Sequence, residues 1–279
     1  MMASQPNPLG RRSGQEKGDY PWWLVALVVI GLALAAVIIA NDVYAQVFRT
    51  VFNGVGITIF VTLVGFALAT LLGLGIALLG LSDSVALRQI ARFYVEVVRG
   101  IPMLVLLFYV AFVGAPAFVA AYNFLTAPLV NAGLTEPVLV REFSLMWRAI
   151  IALMIGYSSF IAEVFRAGIQ SVDHGQIEAA KALGLSRYHR FRLVVFPQAI
   201  KVIFPPLSND FVAMVKDSSL VSVLGVSDIT QMGKIYASGS FRFFETYSIV
   251  TYIYLILTIG LSLGLRQIEK RMRGRDGRR

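Results

Sequence analysis

The chain has 279 residues, 57% of them hydrophobic and 15% charged, with a mean hydropathy of +0.72 and a net charge of +9. Soluble domains carry about 25% charged residues, so this composition excludes an ordinary water-soluble globule and points to a bilayer. The lack of cysteine excludes disulfides and thiolate metal sites, and two histidines, His174 and His189, leave little material for a metal centre.

Residues 1–20 are polar and rich in Gly and Pro, which predicts a disordered cytoplasmic segment. Trp22 to Ala40 is an uninterrupted apolar run of 19 residues. At about 1.5 Å per residue it reaches ~28 Å, close to the ~30 Å hydrocarbon core, with Trp22 and Trp23 as interfacial anchors. The run starts late and ends at Ala40-Asn41-Asp42-Val43 without a small-residue cleavage site, so it reads as a retained helix and not as a signal peptide. Further apolar runs at 55–81, 89–113, 146–165, 193–215 and 245–265 complete six predicted spans. The stretch 114–144 is long for a connection and predicts a short surface helix.

Lysine and arginine set the orientation. With both termini cytoplasmic, the inner side holds Arg11, Arg12, Lys17, Arg88, Arg92, Arg166, Lys181, Arg187, Arg190, Arg192 and the tail from Arg266 to Arg279. The outer loops then hold only Arg49, Arg141, Lys234 and Arg242. This positive-inside asymmetry requires an even number of spans. It also explains the net charge through topology and contact with lipid headgroups, so no nucleic-acid partner is expected.

Residues 176–199, QIEAAKALGLSRYHRFRLVVFPQA, form a charged, alanine-rich segment between the fourth and fifth spans. Gln176 to Leu183 are good helix formers, Gly184 suits a left-handed helix end, and Ser186 suits the cap of a second helix. The alanines keep the first helix slim enough to enter a groove on another protein. On the residues alone, an ordinary interhelical loop remains open.

Glu178-Ala179-Ala180, three residues, Gly184, nine residues, then Val194-Val195-Phe196-Pro197 resembles the EAA loop of binding-protein-dependent ABC importers, E-A-A-x3-G-x9-I-x-L-P. Val98-Arg99-Gly100-Ile101-Pro102, Glu163 to Val172 and Lys216-Asp217-Ser218-Ser219-Leu220 resemble segments of the polar amino acid permease subfamily. The likeness runs from about residue 50 to 268. It implies an all-α polytopic membrane protein, a type I ABC importer transmembrane domain with a five-helix core and one additional N-terminal span over residues 21–44. It further implies a multi-pass location in the bacterial inner membrane. Glu178, Ala179, Ala180, Leu183, Gly184 and Pro197 are then the coupling residues, docking the loop into a separate ATPase subunit.

The remaining partners implied are a second permease chain, identical or homologous, an extracytoplasmic solute-binding protein, membrane lipid and a polar amino acid substrate. No cofactor is expected on this chain. ATP and magnesium belong to the dimeric ATPase, since the sequence has no G-x-x-x-x-G-K-[ST] and Gly233-Lys234 lacks the first glycine at the required spacing.

Polar groups within the spans are costly in hydrocarbon and so mark a candidate substrate pathway. Glu163 shares a helical face with Tyr157 and Phe160, near Ser158, and suits a substrate ammonium group; a salt bridge to Arg166 is the other reading. Arg99, beside Gly100 and Pro102 where the third span should bend, suits either a substrate carboxylate or the backbone carbonyls of the kink. Pro197, Pro205 and Pro206 are expected to break the fifth span likewise, with Asn209 and Asp210 supplying polar atoms. Lys216, Asp217, Ser218 and Ser219 form either a self-neutralising outer cap or a gate, followed by Leu220–Val226 as a short re-entrant segment. Gly65, Gly73, Gly75, Gly80, Gly260 and Gly264 are expected to serve close helix packing.

Three other classes fit these residues less well. An ion-driven secondary transporter would leave the EAA spacing a coincidence, and no inverted repeat is visible. A membrane enzyme lacks a convincing nucleophile or metal cluster. A structural scaffold needs no charges along a path, and only the ABC reading demands an ATPase partner.

Overall fold

A computed structural model describes residues 22–274, with side chains to residue 272. The segment predicted as a disordered N-terminus and the end of the basic tail lie outside the described residues. Everything described is helix, turn or connection, as a bilayer demands: a spanning segment must satisfy its own backbone hydrogen bonds.

The helices in chain order are α1 (Trp22–Ala40), α2 (Asp42–Phe52), α3 (Val55–Gly80), α4 (Val85–Gly100), α5 (Met103–Tyr109) and α6 (Ala115–Asn131). There follow α7 (Leu145–Gln170), α8 (His174–Ala182), α9 (Arg187–Arg190), α10 (Phe196–Asp217), α11 (Ile229–Ser240) and α12 (Phe243–Gly274). Six stretches are long and apolar enough to cross a membrane: Trp22–Ala40, Asp42–Gly80, Met103–Asn131, Leu145–Gln170, Arg187–Leu224 and Phe243–Met272. The number matches the sequence reading, and the third differs in place.

That correction has a local cause. The predicted span at 89–113 is interrupted at Ile101 (φ −97°, ψ 125°) and Pro102, because proline pushes the residue before it out of the helical region. Helix α4 is left as an amphipathic segment carrying Arg88, Arg92, Glu96 and Arg99, and the spanning helix starts at Met103. It runs through a wide π-type turn at Val110–Gly114 to Asn131, so the stretch expected to be a loop with a surface helix is mostly this span.

Arg148, only 6% exposed, secures the wide turn from the start of α7. Its guanidinium donates to the carbonyl of Ala111 at 3.0 Å, to that of Phe143 at 2.8 Å and to that of Val140. A buried guanidinium needs such partners, and here they are backbone acceptors of the turn and of the neighbouring loop.

The fifth span corrects a second expectation. Pro205 and Pro206 lie inside α10, which stays continuous, while Pro197 occupies its first turn, where a missing N–H costs nothing. Leu220–Val226 does not span: Ser218–Leu224 is a 3-10 segment whose Val221 and Leu224 enter the main core.

That core is built on the α3–α7 contact, from Val61, Ala69, Ile150, Leu153 and Ile161, joined by Leu106 and Leu107 of α5 and Met214 of α10. In hydrocarbon the gain is van der Waals packing, which rewards small residues at crossings. The glycines divide accordingly. A Cβ on Gly73 would lie 2.9 Å from Ile161 Cγ2, whereas Cβ atoms on Gly75, Gly260 and Gly264 would meet nothing within 4 Å.

A second cluster, with Val47, Val51, Ile229, Ile249 and Ile253, fastens α2 and α11 to α12. Asp228 caps α11 by accepting from the Gln231 amide at 2.8 Å and also accepts from the Tyr254 hydroxyl at 3.2 Å. Burial pushes its carboxyl above the usual range.

Candidate functional site

Two regions gather the residues singled out in the sequence. The first is the α8–α9 elbow. Asp173 caps α8 by accepting from the Gln176 amide at 3.3 Å, which sets the start two residues before the predicted Gln176. At the other end the amide of Gly184 donates to the Lys181 carbonyl at 2.9 Å and that of Leu185 to Ala180 at 3.1 Å. This pairing closes a helix on a left-handed residue, and Gly184 has φ +73°. Ser186 then accepts from the His189 amide at 3.4 Å to start α9, as its position in the sequence predicts.

The elbow presents one face and is anchored by the other. Leu183 at its tip is 81% exposed, and Glu178, Ala179 and Pro197 are exposed with it. Ala180 is buried, and Ile177 packs on the cluster of Val172, Val195, Ala199 and Ile203, so α8 bears on the π-type turn Phe191–Val195 that leads into α10, while Phe165 and Ile169 of α7 pack on the same cluster. Gln198 of α10 also donates to Gln176. Glu178 pairs locally with His174 at 3.2 Å, both side chains being well exposed. A displacement of α8 is therefore passed to two spans through packed side chains.

The second region lies between α4, α7 and α10, where the break after Gly100 opens a cavity of about 360 Å³. Its polar lining is Arg99, Tyr157, Asp210 and Asp217, with Phe160 and Pro102 among the walls. Arg99 stacks on Phe160 with its guanidinium carbon 5.1 Å from the ring centre. Tyr157 donates to Asp217 Oδ2 at 2.8 Å, and Asp210 Oδ2 is buried with no hydrogen-bond partner among the described residues. The volume falls at the small end of the roughly 300–1,000 Å³ of ligand pockets. One cation and two carboxylates facing one cavity suit a small zwitterion.

A charged groove of about 490 Å³ adjoins the cavity and shares Arg99 with it. Arg88, Arg92 and Glu96 line it from α4, and Glu163, Arg166 and Gln170 from α7. Glu163 lines this groove and accepts from Arg166 at 2.6 Å, the salt bridge that was one of its two sequence readings.

Other candidates lie elsewhere. Ser158 is fully buried, bonded to Tyr94 at 2.7 Å and to the Ile155 carbonyl, and so belongs to the α4–α7 contact. Lys216 is exposed, and its neighbour Asp217 turns instead to Tyr157, so the self-neutralising cap does not form. Ser218 is buried, donating to Val215, while Ser219 accepts from Ser222 through its carbonyl. Of the α4 charges the sequence reading names Arg99 as lining, and Arg88, Arg92 and Glu96 are additions made by the structure. The available signal was the spacing of Arg88, Arg92, Glu96 and Arg99, one face of an amphipathic helix.

Residues 69–274 match the family described as binding-protein-dependent transport system inner membrane component. The chain is 32% identical over 225 residues to the probable amino-acid permease protein YxeN of Bacillus subtilis, covering 81% of this chain and 92% of that one. It is 32% identical over 221 residues to the glutamine transport system permease protein GlnP of Escherichia coli (79% and 92% covered). It is 36% identical over 212 residues to the octopine transport system permease protein OccM of Rhizobium radiobacter (76% and 81% covered). Among solved structures, an amino acid ABC transporter with histidines superposes with a TM-score of 0.66 at 35% identity, covering 84% of this chain and 97% of that one. An inward-facing MetNI methionine ABC transporter shares the fold at a TM-score of 0.61 and 19% identity, covering 80% and 96%.

Proposed function

The chain belongs to the family of binding-protein-dependent transport system inner membrane components, and from that premise we propose that it is the permease subunit of an ATP-driven importer of a polar amino acid. The observation that carries the reading is the α8–α9 elbow: an exposed tip at Leu183, a left-handed turn at Gly184, and a buried side packed into a cluster it shares with α7 and α10. Such an element receives a push from outside the bilayer and delivers it to spanning helices.

In this reading Glu178, Ala179, Ala180, Leu183, Gly184 and Pro197 form the face that enters a cleft on a separate ATPase subunit, which binds ATP and magnesium. Two permease chains enclose the path between them, with two ATPase subunits on the cytoplasmic side and a solute-binding protein delivering substrate from the other. ATP binding closes the ATPase pair, draws the elbows together and favours the outward-facing state. Hydrolysis releases them. The bias is the difference in fit of the elbow to the two ATPase states.

The substrate class is supported by the names of the relatives and by the cavity chemistry. Arg99 suits an α-carboxylate and the Asp210–Asp217 side an α-ammonium group, with Glu163 and the charged groove of α4 and α7 as the continuation of the path.

The test is reconstitution in proteoliposomes with the copurifying ATPase and binding protein. Uptake of a polar amino acid that requires internal ATP and persists without ion gradients is the expected result. Uptake driven by a proton or sodium gradient with no ATPase present would overturn the reading in favour of secondary transport.

A further inference from the structure

Helix α1 has no buried residue, yet it stands beside the bundle and leaves a groove of about 960 Å³ between itself and α12. A Cβ on Gly31 of α1 would lie 3.9 Å from the Tyr252 ring, and Ile38, further along α1, packs in the cluster of Ile249 and Ile253. The lining of the groove runs from Trp23 to Leu34 on α1 and from Phe244 to Leu263 on α12.

Its walls are apolar over nearly their whole length, with Trp23, Tyr247, Ser248, Thr251 and Tyr252 offering polar atoms. Phe244 to Leu263 is about 28 Å of helix at 1.5 Å per residue, the depth of a hydrocarbon core.

The charge lies at one end. On α12 the lining residues recur at helical spacing through Thr251, Leu255, Ile259 and Leu263. The same face continues to Arg266, three residues on, and to Lys270, one turn further. Both are exposed, Arg271 stands beside them, and none of the three makes an ion pair among the described residues. One turn of helix, about 5 Å, separates the apolar end of the groove from these cations, the step from hydrocarbon to headgroup.

We propose that the groove between α1 and α12 binds an anionic phospholipid, its acyl chains against Ala26, Ile30, Ile256 and Gly260 and its phosphate against Arg266 and Lys270. The apolar walls select a chain that is already in hydrocarbon, and the cations select the sign of the headgroup. Helix α1 then serves as one wall of a lipid site, attached to a transport core that does not need it for its own packing.

The full-length chain, purified in detergent, is examined by native mass spectrometry after addition of phosphatidylglycerol or phosphatidylcholine with the same acyl chains. Phosphatidylglycerol is expected to bind about 25-fold more, the product of the two cations' contributions. The exposed double substitution Arg266→Gln/Lys270→Gln should remove that preference, about fivefold for each charge, and leave phosphatidylcholine binding unchanged. Gly260→Phe, at a position where an added Cβ meets nothing within 4 Å, should fill the groove and lower binding of both lipids. Equal binding of the two lipids, a preference that survives loss of both cations, or a dimer of chains that closes the groove and excludes lipid would each overturn the proposal.

Discussion

The hydroxyl of Tyr157 donates to Asp217 at 2.8 Å, joining the middle of α7 to the last residue of α10. A carboxylate held this way is kept on the cavity side, away from its charged neighbour Lys216. Tyr157→Phe is expected to destabilise the detergent-solubilised protein by about 1.5–3 kcal/mol, the range for a hydrogen bond to a charged group. With Asp217→Asn the losses should fall short of additive by at least about 0.5 kcal/mol, read from a thermal-unfolding double-mutant cycle. Strict additivity would mean the two side chains do not act on one another.

Gly184 separates backbone from partner effects. Its φ of +73° penalises a branched side chain by roughly 1–2 kcal/mol, so Gly184→Val should lower both elbow order and transport. Asp tolerates the left-handed region, and a Cβ there meets nothing within 4 Å in this chain. Gly184→Asp is therefore expected to insert normally and to lose uptake by more than tenfold, through a clash outside this chain. Wild-type uptake in that variant would separate the elbow from coupling.

Close approach of α3 to α7 sets a contrast between two glycines two residues apart. Gly73→Ala places a methyl group 2.9 Å from Ile161 Cγ2 and from the Ser158 carbonyl, and should cost about 1–3 kcal/mol. Gly75→Ala, with nothing within 4 Å, should be neutral or stabilising by up to ~1 kcal/mol. Thermal midpoints of the two variants give the comparison directly; equal midpoints would show that the α3–α7 crossing is looser than described.

Glu163 pairs with Arg166 in a partly exposed position, the side chains being 36% and 40% accessible. Removing such a pair should cost under about 1 kcal/mol of stability. Glu163→Gln is nevertheless expected to reduce substrate-stimulated ATP hydrolysis of the reconstituted complex several-fold, because the carboxylate lines the groove that leads from the cavity. Unchanged stimulation at unchanged substrate affinity would leave the ion pair as its whole role.

Much of this was legible because hydrocarbon is a strict solvent. Six apolar runs, the glycine turn between two capped helices, and the placement of Pro197 in a first turn each follow from local rules, and local rules can be read along a chain. The elbow is legible because Gly184 closes one helix in the left-handed region and Ser186 caps the next. The third span went astray because α4 and α5 together look like one apolar run. Only the competition between Pro102 and helix continuation, against the charges on one face of α4, moves the span to Met103–Asn131.

By itself the sequence determined the solvent, the number of crossings and the elbow, since each depends on residues within a few turns of one another. Tertiary structure alone decided which polar groups face one another. Ser158 and Tyr157 are adjacent in sequence, yet one is sealed against Tyr94 and the other reaches Asp217, sixty residues away. The same holds for α1, whose apolar run fixes that it spans, while its stand-off from α12 depends on packing against α2 at a distance no periodicity encodes. Helical spacing assigns a side chain to a face; which helix meets that face is set by the mutual fit of all the spans.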